Sequence, residues 1–169
     1  MAAMVSLGLG EIEGLAQLLK EAALGPQDRA QLLHDIGVEV TRQTQERFDS
    51  QKDPGGNPWK ALAQKTKDYY AKNGLSGGSL LVQGGGLRDS LEMQVIDSSS
   101  IVVGATKIYA AVHQWGGDIV PKNAPALFVP GYGLLKKVHI PARPYLGLAS
   151  RDIEDIAAIT RQFVARRLA

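Results

Sequence analysis

His34, His113 and His139 are the only imidazoles in the chain, and no two of them stand at the i, i+4 spacing that lets a helix present a metal-binding pair. No catalytic metal is expected. The chain has no cysteine, which removes thiolate zinc sites, disulfides and cysteine nucleophiles, a usage that suits a reducing cytoplasm. Ser6, Ser76, Ser79, Ser90, Ser98, Ser99 and Ser100 sit in no Gly-x-Ser-x-Gly elbow, the strained turn that a serine hydrolase needs to raise its nucleophile. Gly84-Gly85-Gly86 before Leu87-Arg88-Asp89-Ser90 has the look of a phosphate cradle at a helix start. It lacks the Gly-Lys-Ser/Thr ending that would supply charge and a magnesium ligand, so it reads as a linker. Neither an enzyme nor a cofactor is expected.

The densest information lies in residues that fix geometry instead. His113-Gln114-Trp115-Gly116-Gly117 and Pro141-Ala142-Arg143-Pro144-Tyr145-Leu146-Gly147 combine glycines, which permit unusual backbone angles, with prolines, which restrict them. His113 is expected to make a structural hydrogen bond that fixes the Gly-Gly turn. Trp59 and Leu62 follow the turn-rich run Asp53-Pro54-Gly55-Gly56-Asn57-Pro58 and are expected to pin it to the core, because an indole buries a large area. Lys122, Lys136 and Lys137, with Arg143 nearby, would form a basic collar around DNA if several copies closed a ring, through phosphate contacts alone.

The elements that must position these residues follow from composition and period. A length of 169 residues with 44% hydrophobic and 21% charged residues suits one globular domain with a core, and a net charge of +2 gives no long-range field for nucleic acid. Residues 1–10 form neither a convincing signal peptide nor a membrane span, so action in the cytosol and no membrane contact are expected. Residues 11–24 carry Ile12, Leu15, Leu18, Leu19 and Leu24 at helical spacing, which predicts a helical extension over 1–25 ahead of a single domain over 26–169.

From Pro26 to about Gln51, Leu33, Ile36, Val40 and Phe48, with Leu32 and Thr44 alongside, form one apolar stripe of a long helix. The face bearing Asp35, Glu39, Arg42, Gln43 and Glu46 reads as solvated. A shorter helix is predicted over Ala61–Lys72, stopped by Asn73-Gly74, followed by a Gly/Ser-rich segment with one brief strand at Leu80–Val82. Leu91–Val95 and Ile101–Val103 alternate as a hairpin, and Lys107–Trp115 reads as a short helix closed by glycine. The prolines and apolar patches from about 117 to 140, among them Leu127-Phe128-Val129, predict a loop or hairpin that leaves the body. Ser150–Leu168 should be a second long helix with Ser150 as N-cap and the stripe Ile153, Ile156, Thr160, Phe163 or Val164, and Leu168. The fold class predicted is α+β, a small antiparallel sheet packed against two long helices.

Arg47-Phe48, the Asp53–Trp59 run with Leu62 and Thr66, Gly86–Ser90, Val102-Val103-Gly104, Tyr109-Ala110, His113–Gly117 and Pro141–Gly147 together resemble the phage virion morphogenesis family, in order from about residue 30 onward. That family includes tail-completion proteins of P2-like phages and the G protein of Mu-like phages. The resemblance implies a non-enzymatic protein of the head–tail neck or tail end, made in the host cytoplasm and placed in the virion. It further implies a homo-oligomeric ring, a hexamer favoured, next to other neck or tail proteins. Trp59, His113, Gln114, Trp115, Gly116, Gly117, Leu127, Phe128, Val129, Arg143 and Pro144 are then expected to hold the subunit's shape and its contacts. The contrasting expectation is a nucleic-acid-binding or assembly-chaperone module absent from the finished particle.

Overall fold

The computed structural model describes residues 3–8, 22, 24–75, 80–82 and 86–168. It is an α+β fold. Its main sheet has three antiparallel strands in the order β1-β3-β2: β1 (Ala3–Gly8), β2 (Leu91–Val95) and β3 (Ser100–Ala105). β2 and β3 make the predicted hairpin, whose turn is held by Asp97 accepting from the Ser99 backbone and hydroxyl. Along β3, Ile101, Val103 and Ala105 are buried, while Ser100 and Val102 on the alternate face are only half-buried.

The buried face packs on α1 (Pro26–Ser50). Leu32, Leu33, Ile36, Val40, Thr44 and Phe48 are all buried there, as their spacing predicts. At Gly37 a side chain would lie 2.8 Å from the Met93 sulfur, so glycine lets helix and sheet approach closely. The second long helix, α4 (Ser150–Leu168), packs mainly against α1. The two run antiparallel, joined by Arg47–Asp152 at one end, Gln43 Nε2 to Asp155 (3.1 Å) midway and Arg167–Asp28 (2.7 Å) at the other. Gln43, expected on a solvated face, is therefore buried between helices, and Ile153, expected in the apolar stripe, is exposed.

Ser150 is not the N-cap of α4. The Ala149 carbonyl accepts the first helical bond from Ile153 and the Asp152 carboxylate accepts from the Ala149 N–H at 2.6 Å, the reaching-back half of a capping box. The same carboxylate pairs with the buried Arg47 guanidinium, which also donates to the carbonyls of Tyr145 (3.0 Å) and Gly147 (2.8 Å).

The N-terminal segment departs from expectation. Residues 1–25 read as a helical extension, whereas Ala3–Gly8 is an edge strand of the main sheet; the helix expected at 11–24 falls almost wholly outside the described residues. Leu80–Val82 is a turn and not a strand. Gln51 explains this, because its side-chain amide takes both the N–H (2.6 Å) and the C=O (3.2 Å) of Leu80, leaving that residue no strand partner. α2 (Gln64–Lys72) ends at Gly74 with φ +64, as its sequence suggests.

Removing one member of a buried ion pair strands the other. Asp152→Asn, which keeps the volume and discards the charge, should lower unfolding free energy by about 3 kcal/mol in chemical denaturation; a loss under about 1 kcal/mol would mean that the backbone contacts of Arg47 suffice.

Candidate functional site

The region built by the two glycine- and proline-rich motifs begins with α3 (Ala110–Trp115), closed by Gly116. Gly116 has φ +72, and a side chain there would meet the Ala142 backbone nitrogen at 2.7 Å; the turn requires glycine on both counts. The chain leaves as β4 (Gly117–Ile119), forms a hairpin of β5 (Leu127–Val129) and β6 (Gly133–Leu135), and returns through β7 (Val138–Ile140), which pairs with β4.

This hairpin does not project freely. At its tip the Tyr132 hydroxyl lies 3.0 Å from the Thr66 hydroxyl on α2, the Lys65 ammonium sits 4.8 Å from the centre of the Tyr132 ring, and a Gly131 side chain would collide with Tyr69. The ribbon arches over its own subunit. Its inner face, with Val129, Tyr132 and Leu135, walls a cavity of about 830 Å³ whose floor includes Leu87, Tyr109 and Arg143. On the outer face Phe128 and Leu134, directly opposite each other in register, are 74% and 73% exposed. Trp115 is 62% exposed, and Ile108, Ile119 and Val120 are exposed as well. Phe128 and Leu134 thus form an exposed apolar pair on the outer face of the ribbon.

The remaining motif residues are used inside the chain. Trp59 is buried, donates from its indole N–H to the Pro144 carbonyl (2.7 Å) and meets Phe48 edge-on with centroids 5.4 Å apart. Gln114 is buried and acts as a backbone surrogate. Its Oε1 accepts from the N–H groups of Tyr145 and Leu146, both at 3.0 Å, and its Nε2 donates to the Leu146 carbonyl at 2.9 Å. Nothing in the sequence marks Gln114 as a brace except its place within the conspicuous His113–Gly117 motif.

Arg143 is 5% exposed; its Nε donates to the Lys60 carbonyl (2.8 Å) and its Nη2 to that of Ala61 (3.4 Å), and burial lowers its pKa from the ordinary value. The hydrogen bond expected of the His113 imidazole is made by its backbone instead, whose carbonyl accepts from the Arg143 N–H at 2.7 Å. The ring lies edge-on to Tyr109, and its buried Nδ1 has no partner among the described residues. Burial first, then the Arg143 charge, depress the His113 pKa.

Among the proposed collar, Lys122 and Lys136 are exposed, whereas Lys137 pairs with Asp118 at 2.9 Å, a carboxylate that His139 shares. No cluster of three or more metal-binding side chains occurs among the described residues, and no helix there is long and apolar enough to cross a membrane.

A family model described as the phage virion morphogenesis family matches residues 10–165. The chain belongs to that family. It is a family of phage morphogenesis proteins, not a known enzyme family. Relatives include the putative capsid assembly protein G of Escherichia phage Mu, 28% identical over 94% of this chain and 93% of that one. The Mu-like prophage FluMu G protein 1 of Haemophilus influenzae is 31% identical over 71% of this chain and 69% of its own length. The FluMu G protein 2 of the same organism is 27% identical over 90% of this chain and 91% of its own length. No solved structure matches. A role in phage assembly is thereby supported.

The His113 environment makes a pH prediction. Its folded pKa is depressed, so between that value and the ordinary one near 6.5 the unfolded chain binds a proton that the folded chain does not, and stability falls as pH drops through this window. The thermal midpoint should decline from about pH 7 to about pH 5, and His113→Leu should flatten the decline; an unchanged slope in the variant would show that other groups cause it.

Proposed function

We propose that this protein is a structural component of the head–tail neck or tail end of a phage, acting in tail completion or head–tail joining by assembling into a homo-oligomeric ring, a hexamer favoured, and that it is not an enzyme. The observation that carries this reading is the outward apolar pair Phe128 and Leu134 on an arch held at both ends, by Tyr132–Thr66 at its tip and the β4–β7 ladder at its base. A pre-formed surface loses little conformational freedom on binding, which favours association. In a head-to-tail ring each copy can bury this surface against the next. Trp115, Ile119 and Val120, close to the base of the arch in the chain, are exposed as well.

Lys122 and Lys136, exposed on the same excursion, would meet passing DNA only through phosphates and only once repeated around a ring. The second reading, an assembly factor that does not remain in the virion, is favoured by the name of the phage Mu relative, a putative capsid assembly protein. Mass spectrometry of purified virions separates the two.

Phe128→Asp with Leu134→Asp changes only highly exposed side chains, so the monomer should keep its stability to within about 0.5 kcal/mol. Sedimentation should show the parent as a closed oligomer and the double variant as a monomer. Closed oligomers formed equally well by the variant would sink the assignment of this surface.

A further inference from the structure

The cavity under the arch holds a charge that no carboxylate among the described residues answers. Arg143 is 95% buried as judged from its 5% exposure, yet no carboxylate lies within ion-pair distance and its Nη1 has no acceptor among the described residues. Nη1 is not a buried atom, so it stays open to whatever enters the cavity, and two backbone carbonyls compensate the guanidinium charge only in part. The walls repeat the same sign. Lys60, Lys137 and His139 line the cavity and no Asp or Glu does; Lys137 and His139 are taken up by Asp118, leaving Arg143 and Lys60 uncompensated. The rest of the lining is mainly apolar, among it Leu62, Leu87, Val129 and Leu135, and the volume of about 830 Å³ lies in the range of ligand sites.

We infer that this cavity docks a segment of a different protein that carries apolar side chains around a carboxylate. The carboxylate pairs with Arg143 in the two-pronged geometry that a guanidinium favours, and the flanking apolar side chains fill the space between arch and body. Charge excludes the arch of a second copy as the occupant. Between Asp118 and Asp152 the chain has no acidic residue but carries Lys122, Lys136, Lys137 and Arg143, so arch in cavity would set cation against cation. This site is separate from the outward surface of Phe128 and Leu134, since the two lie on opposite faces of one ribbon, and it does not depend on ring formation.

The test titrates the full chain with two blocked synthetic peptides, one of leucine and phenylalanine around a single glutamate, the other with glutamine in its place, and with a third copied from residues 124–136. The glutamate peptide should bind on the order of 10-fold more tightly than its glutamine counterpart, with amide shifts centred on Tyr132, Leu135 and Val138. Leu135→Trp, which fills the cavity, should abolish binding of both. Arg143→Met should erase the discrimination while the glutamine peptide still binds; should that variant fail to fold, Lys60→Glu should reduce the preference at the rim. Equal affinity for the two peptides, no binding, shifts away from the arch, or tighter binding of the 124–136 peptide would each overturn the proposal.

Discussion

An irregular backbone that is buried must find hydrogen-bond partners outside the regular ladders, and in this protein that constraint falls on Pro141–Gly147. Tyr145 and Leu146 sit in the core, in a segment that is neither helix nor strand. Side chains from three distant stretches supply what is missing: Arg47 from α1 donates to the Tyr145 and Gly147 carbonyls, Trp59 to that of Pro144, and Gln114 from α3 to that of Leu146 while accepting from the N–H groups of Tyr145 and Leu146. Buried donors and acceptors contribute modestly when paired and cost much when orphaned, so each of these residues is hard to replace singly. The interlocking is what turns three separate pieces of chain into one body.

The placement of the arch follows from that lock. β7 runs directly into Pro141, and α3 runs through Gly116 into β4, so both legs of the arch are anchored at the same buried knot. The Arg143 N–H to His113 carbonyl bond joins the two legs where they enter it. Strand alternation then decides which side chains face inward over the cavity and which face water, and the pairing Phe128↔Leu134 places two large apolar groups together on the outer side. Outward exposure is therefore a consequence of register, and a one-residue slip would exchange the two faces.

Periodicity made the regular parts legible. The stripe of α1, the β2–β3 alternation and the glycine stop of α3 all read correctly, because in each the pattern of burial is local to the element. What escaped the sequence depends on partners far away in the chain. Ala3–Gly8 carries too weak an alternation to announce a strand and is recruited by the free side of β3. Leu80–Val82 has strand-like residues but is captured by Gln51. Gln43 looked like surface until Asp155 came to meet it. For the site, the motifs drew attention to the right residues without dividing them: Trp59, Gln114 and Arg143 are engaged internally, while Trp115 and Phe128 face outward. Residue type alone does not make that division, since an indole serves as anchor at one position and as exposed surface at the other.

The two buried arginines carry the contrast furthest. Both are nearly hidden, both donate to backbone carbonyls, and desolvation lowers the pKa of each. Arg47 has Asp152 beside it, and that carboxylate also caps α4, so charge, helix end and core segment close on one another with nothing left over. Among the described residues Arg143 has only the Lys60 and Ala61 carbonyls, and it lies at a cavity rather than in packed core. A lysine, with one compact charge and no planar fork, would serve neither place, because each position asks for several donors spread in fixed directions. The same residue type thus marks a closed junction in one case and an open one in the other, and the difference lies in whether the described residues supply the anion.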